Sequence, residues 1–219
     1  EKKLKSNHSE IEKEYELLKR LSNHCNNGLS AKTFSFLPNE KKMIKSLNLL
    51  TLKPLLFIAN LEEGSLLDGT KNKLVLALNK FAKKNKEEVV FLCGKIEQEI
   101  SSLATNEKQL FLKEYNLTEP GLFKLINKTY KLLGLNNFYT CGPKEVRSWT
   151  IPSNSTAQEA AGAIHTDFQR GFIKAEVYHS SDLIRLRSEK AVKEAGLVKL
   201  EGKNYLVKNG DCIYFRFNV

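Results

Sequence analysis

The stretch Pro54-Leu55-Leu56-Phe57-Ile58-Ala59-Asn60-Leu61-Glu62-Glu63 decides how the rest of the chain is read. An apolar run follows Pro54 and stops at Asn60, with Glu63 just beyond. Leu55 to Ala59 is too short for a typical helix and predicts a strand buried on both faces, as in a parallel sheet. Open α/β sheets bind ligands beyond the carboxyl ends of their strands. A carboxamide and a carboxylate placed there offer donor and acceptor groups to the edge of a planar base.

The residues that follow repeat the pattern. Gly64 to Thr70 predicts a loop, and a helix to about Lys84 carries Leu74, Ala77, Leu78 and Phe81 on its buried side. Glu87–Leu92 is a second apolar run ending at Cys93-Gly94-Lys95, and Ile96, Ile100 and Leu103 mark the helix after it. Strand, helix, strand, helix implies parallel strands joined by a right-handed crossover. The loops 60–63 and 93–95 then leave one edge of one sheet, which strengthens the binding-site reading.

Upstream, residues 1–25 predict a long polar helix with Leu4, Ile11, Leu18 and Cys25 at seven-residue spacing and Tyr15 and Leu21 beside them, the seam of a helical hairpin or coiled coil. A turn around Gly28 follows, then a second helix from Pro38-Asn39-Glu40 with Met43, Ile44, Leu47 and Leu50 on one face. Downstream, Asn106–Tyr115 predicts a helix, and Glu119-Pro120-Gly121 opens another that runs to Gly134. From Asn136 the texture changes. Strands are expected at Phe138–Cys141, Glu145–Ile151, Phe172–Tyr178, Tyr205–Val207 and Cys212–Val219, a helix from Ser155 or Thr156 to about Arg170, and a short helix at Ser188–Ala195. One helix against a small mixed sheet suggests a ubiquitin-like α+β roll. The fold class expected is therefore α/β and α+β, divided into a helical arm (1–37), an α/β part (38–135) and the roll (136–219).

Composition sets limits. A hydrophobic content of 41% and a charged content of 27% suit a soluble globular chain. No apolar run approaches the roughly 20 residues that span a bilayer, so no membrane partner is expected. The chain starts within a charged pattern, without Met or signal segment, and reads as a piece of a longer one. Four scattered cysteines with no CxxC pair point to reduced thiols and a cytoplasmic setting, without a metal site. A net charge of +10 makes a polyanionic partner plausible against an ordinary lysine-rich surface.

With both halves read, the sequence resembles the YchF-type Obg-like ATPase family. The resemblance is carried by Leu50–Pro54 into Ile58–Glu63, by Leu117-Thr118-Glu119-Pro120-Gly121-Leu122, by Lys144-Glu145-Val146-Arg147-Ser148-Trp149-Thr150, by Ala160–Phe168 with His165-Thr166-Asp167, and by Asn209-Gly210-Asp211 to Phe217-Asn218-Val219. It implies that residues 1–37 are the second part of a coiled-coil arm, 38–135 the closing half of a Ras-like P-loop nucleotide-binding domain, and 136–219 a TGS domain of β-grasp type. It also implies ATP with Mg²⁺ as cofactor and the ribosome or its RNA as partner. No G-x-x-x-x-G-K-[ST] loop and no Asp-x-x-Gly element occurs in these residues. In the family those parts precede the arm, so catalytic residues are not expected here and the stretch alone is expected to be inactive.

Asn60–Glu63 stands where GTPases carry Asn-Lys-x-Asp, whose Asp accepts two hydrogen bonds from guanine. Leu61 and Glu63 replace the Lys and the Asp, and the longer carboxylate does not sit at the same distance. A buried group left without its partner costs roughly 1–3 kcal/mol, enough to reverse a base preference. The resemblance thus assigns Asn60 to the base edge, Leu61 to base contact through backbone and side chain, and Glu63 to shaping the loop. Cys93, Gly94 and Lys95 form the second base loop, where Gly94 would let backbone N–H groups approach the ring. His165 and Asp167 lack a nucleophile or metal spacing and read as a hydrogen bond at a helix end. Arg147, Arg170, Lys174, Arg185 and Arg187 are candidates for RNA phosphates. An alternative is a non-enzymatic RNA- or ribosome-binding module with a vestigial nucleotide loop.

Overall fold

A computed structural model describes residues 9–67, 72–142 and 145–218. Its helices and sheets form two units, residues 1–57 with 76–89, and residues 58–75 with 90–219. The fold is mixed α/β. Leu4, Pro143, Lys144, Val219 and residues 68–70 of the expected loop fall outside the described residues.

In the first unit, α1 (Ser9–Asn26) starts with Glu10 and Glu12 at its positive end. Its buried spine is Leu17 and Leu21, one helical turn apart, packed on Ala31 and Ile44 with Phe34, Phe36, Met43, Leu49 and Leu52 around them. Cys25, expected on the seam, is exposed. The seam shifts because α1 packs on a folded-back segment of short turns, so its contacts follow a four-residue step and not a heptad. The second long helix expected from residue 38 is a four-residue helix, α2 (Glu40–Met43), followed by single 3₁₀ turns at Lys45–Leu47 and Leu50–Leu52. Asn39 and Asn48 adopt left-handed backbone at φ 71° and 46°, which interrupts helical propagation on either side. Arg20 pairs with Glu40, and Lys32 with Glu87.

Strands β1 (Leu56–Asn60) and β2 (Glu88–Leu92) form a two-stranded sheet. The Leu61 N–H donates to Leu92 O at 2.8 Å, so the two carboxyl ends lie side by side, as parallel strands require. β1 is not buried on both faces as expected, since Ile58 remains 53% exposed. No third strand covers it among the described residues. A short helix, α3 (Glu63–Leu67), occupies part of the predicted loop. In α4 (Lys73–Asn85) the buried positions are Val75 and Ala82. Of the expected buried side only Leu78 is half-buried, between Val75 and Ala82, while Leu74, Ala77 and Phe81 are exposed.

The second unit continues through α5 (Gly94–Ser102), α6 (Thr105–Glu114) and α7 (Gly121–Leu132). Ile96 and Ile100 of α5 are buried with Cys93 against Phe111, Leu112, Tyr115 and Leu117. After Gly134, β3 (Leu135–Cys141), β4 (Val146–Pro152), β5 (Phe172–His179), β6 (Lys199–Glu201) and β7 (Asp211–Phe217) build a five-stranded sheet in the order β4-β3-β7-β5-β6. β3 and β7 run parallel, and the other neighbours are antiparallel.

Alternation along these strands separates two cores. Phe138, Ala175, Val177, Ile213 and Phe215 face α8 (Ala157–Ile164), whose small Ala157, Ala160 and Ala161 allow close approach. Tyr178 and Cys212 face the other way, beneath α10 (Ser180–Leu186) and α11 (Glu189–Glu194), with Val192, Leu183 and Leu186. The long helix expected to reach Arg170 breaks at His165 into α8 and α9 (Thr166–Arg170), because the His165 ring accepts the Asp167 N–H and caps the second piece. Tyr205–Val207 makes a single bridge, Thr156 to Leu206, rather than a strand. The sequence reading contained neither α10 nor β6.

Candidate functional site

The carboxyl ends of β1 and β2 bring Asn60, Leu61, Glu63, Cys93, Gly94 and Lys95 together. Asn60 Oδ1 accepts the Gly94 N–H at 2.9 Å, which ties the first loop to the first residue of α5. Asn60 is exposed, and its carboxamide nitrogen carries two N–H donors. A Cβ at Gly94 would meet Asn60 Oδ1 at 3.4 Å, an ordinary van der Waals contact.

Leu61 donates its backbone N–H to Leu92 O, and the residue is half-buried. Cys93 is buried and its side chain belongs to the core beneath the loop. Glu63 opens α3 and its carboxylate is held from two sides. Tyr115 Oη donates to Oε1 at 2.6 Å and Lys95 Nζ donates to Oε2 at 3.3 Å. The Tyr115 bond, then Lys95, hold the Glu63 carboxyl below its usual range. The same bond to Glu63 pushes the Tyr115 phenol up to about 12 and, with the charge of Glu63, raises Lys95. At neutral pH the cluster is one carboxylate between an ammonium and a neutral phenol.

Sequence reasoning missed Tyr115, which lies 52 residues from Glu63, at the end of α6. No local pattern marks it. Also missed was Glu97, whose carboxylate accepts the N–H groups of Gly121 and Leu122 at the start of α7.

The basic candidates do not gather in one place. Arg147 lies 4.3 Å over the Trp149 ring on the edge strand β4, on the α8 side of the sheet. Lys174 on β5 pairs in register with Arg216 and faces the opposite side. Arg170 is paired with Asp167 at 3.0 Å and Arg185 with Asp182 at 2.6 Å. Arg187 ends α10 with φ 68°. His165 and Asp167 serve the start of α9, as a helix-end role requires. Among the described residues no group of three or more His, Cys, Asp or Glu side chains is placed to hold a metal ion, and no helix is long and apolar enough to cross a membrane.

Comparison with known proteins places this arrangement. Residues 135–218 match the family model YchF-GTPase_C, described as a protein of unknown function (DUF933). The chain is 43% identical over 206 residues to the "Ribosome-binding ATPase YchF" of Bacillus subtilis (strain 168), covering 94% of this chain and 56% of that protein. Against the protein of the same name from Escherichia coli O157:H7 it is 40% identical over 220 residues, covering 100% and 60%. Among solved structures it resembles the Schizosaccharomyces pombe YchF GTPase with a TM-score of 0.76 at 30% identity, covering 94% of this chain and 55% of the other. The chain spans a little over half the length of these relatives. Shared sequence across almost all of its residues, together with the shared fold, means that the chain belongs to the YchF family.

Proposed function

We propose that this chain supplies the base-binding corner of an ATP site, in preference to GTP, within a P-loop ATPase that associates with ribosomes. The observation that carries the reading is the Asn60–Gly94 bond. It consumes the carboxamide oxygen and leaves the Asn60 NH₂ to donate to a purine ring nitrogen, while the Leu61 side chain offers an apolar surface to the ring. The donor set therefore fits a purine. Glu63, already engaged by Tyr115 and Lys95, is poorly disposed to accept a guanine edge. Bound ATP would bring the phosphoanhydride that hydrolysis cleaves. Phosphate and Mg²⁺ binding is assigned to a P-loop and its partner carboxylate, elements that these residues do not contain, so the stretch alone is inactive.

Residues 38–135 are assigned to the closing half of that nucleotide-binding domain. Exposed Leu76 and Phe81 in one unit, and exposed Ile58 and Leu74 in the other, support the assignment, because apolar surface of this kind fits a larger sheet. Residues 136–219 are assigned to a TGS domain. Numbered within this region, the strand order is 2-1-5-3-4, with α8 across one face and α10 and α11 over the other, which supports a β-grasp module. Residues 1–37 are assigned to a coiled-coil arm, and the cytoplasm is the matching location.

Equilibrium binding of ATP and GTP to the protein at its full encoded length tests the reading. The double variant Leu61→Lys/Glu63→Asp is expected to shift preference toward GTP. An unchanged ATP/GTP ratio would sink this account of the corner.

A second reading, binding of RNA, is favoured by the Arg147–Trp149 stack on an edge strand, a cation joined to an aromatic face. Filter binding over a salt series checks it, and an affinity insensitive to ionic strength counts against it.

A further inference from the structure

We infer that Tyr115 sets the base preference of the Asn60–Lys95 corner by tethering Glu63 away from the ligand edge. The inference rests on the reading of that corner as a purine site. Tyr115 itself is firmly placed: its ring packs 4.9 Å from that of Phe111, within the cluster of Cys93, Ile96 and Ile100 that also carries the second loop. From there its hydroxyl reaches Glu63 Oε1 at 2.6 Å, while Lys95 takes Oε2 at 3.3 Å. Each carboxylate oxygen thus has a donor from the protein.

The chemistry of the two purines gives this tether a consequence. Guanine presents two adjacent donors, the N1–H and the exocyclic amine, and a carboxylate must turn both oxygens toward them. Adenine presents an acceptor, N1, beside its amine, and a free carboxylate facing N1 would repel it. Holding Glu63 on Tyr115 and Lys95 withholds the two-oxygen face from guanine and removes the repulsion from adenine. Tyr115 touches no ligand in this scheme and is a positioning residue.

The test is equilibrium binding of ATP and GTP to the full-length protein and four variants. Tyr115→Phe keeps the ring and its packing but frees Oε1. GTP affinity is expected to rise roughly tenfold, the scale of one hydrogen bond to a charged group, while ATP affinity stays level or falls. Adding Glu63→Gln to Tyr115→Phe is expected to abolish the gain, because an amide has one acceptor and one donor where guanine needs two acceptors. Glu63→Gln alone is expected to move the ATP/GTP ratio by less than about threefold, since Glu63 does not face the base while tethered. This arm reads out even if Tyr115→Phe fails to fold.

A Tyr115→Phe ratio within twofold of wild type, or a parallel fall in both affinities, would overturn the role and leave Tyr115 as packing. A tenfold change in ratio from Glu63→Gln alone would also overturn it, by showing that Glu63 already reads the base. Asn60→Ala separates the two levels of the claim. If it abolishes ATP binding while Tyr115→Phe leaves the ratio alone, only the Tyr115 role fails. If the wild-type protein binds neither nucleotide, the purine site fails and the Tyr115 role with it.

Discussion

The carboxylate of Glu97 in α5 closes on the backbone of Gly121, accepting its N–H at 2.7 Å and that of Leu122 at 3.1 Å. One helix thereby caps another, α7, because Pro120 at the N-cap has no side chain able to accept these orphan donors. The approach is so close that a Cβ on Gly121 would lie 2.8 Å from Leu92 Cβ and 2.9 Å from Glu97 Oε1. Leu92 ends β2, directly before the second loop of the candidate site. The start of α7 and the floor of that loop are therefore packed as one piece.

Gly121→Ala is accordingly expected to destabilise the protein by about 1–3 kcal/mol, the range for overpacking a closed contact. Glu97→Ala, which leaves two helix donors without their acceptor, is expected to cost about 1 kcal/mol. Denaturant unfolding of both variants measures the difference. A neutral Gly121→Ala would mean that Leu92 gives way easily.

Asp211 supplies a second check. It is only 3% exposed and its Oδ2 accepts both the Tyr205 hydroxyl and the Lys208 N–H at 2.9 Å. Tyr205→Phe removes one donor from a buried carboxylate and is expected to cost about 1–3 kcal/mol. Asp211→Ala is expected to cost at least as much, since it also releases the turn that leads into β7. Thermal unfolding of the two variants tests the order.

The Thr156 cap of α8 is reciprocal: Thr156 Oγ1 accepts the Glu159 N–H and Glu159 Oε2 accepts the Thr156 N–H at 2.7 Å. Thr156→Ala is expected to cost about 1 kcal/mol, as capping residues typically do. Thr156→Ser should restore most of it in the same unfolding measurement.

The titrations give stability a definite pH profile. The Thr156 backbone bond to Glu159 and the Tyr115 bond to Glu63 lower both carboxyls from 4.5. A depressed carboxyl stabilises the fold above its unfolded value, and this contribution is lost as pH falls below about 4.5. At the other end, burial pushes the Cys212 thiol from 9.0 to about 12, and the bond to Glu63 pushes the Tyr115 phenol from 10.0 to about 12. These groups stabilise the fold fully below their unfolded values and lose that contribution between about pH 9 and 12. The melting temperature should therefore fall on both flanks. Cys212→Ala should flatten the alkaline flank, and an unaltered slope there would contradict the assignment.

Much of this architecture was legible because it is written locally. Pro54 before an apolar run, Pro120-Gly121 at a helix start and Thr156 three residues before Glu159 each act through neighbours in the chain. The convergence of residues 60–63 and 93–95 was legible too, since strand, helix, strand in succession fixes which ends meet. Burial faces were less so. In α4 the periodicity offered Leu74 and Phe81, but Val75 and Ala82 are the buried positions. An amphipathic pattern with apolar residues on several sides does not say which side finds a partner.

By itself the sequence determined the family, the mixed α/β class, the order of most elements and the pair of loops that form the candidate site. Each of these depends on spacing along the chain. Only the tertiary structure decided that Asn60 spends its oxygen on Gly94, that Tyr115 and Lys95 share Glu63, and that Arg147 and Lys174 lie on opposite faces of one sheet. These are relations between residues far apart in sequence. A hydrogen bond is lost by a shift of about an ångström, so such relations exist only once packing has fixed where each side chain stands.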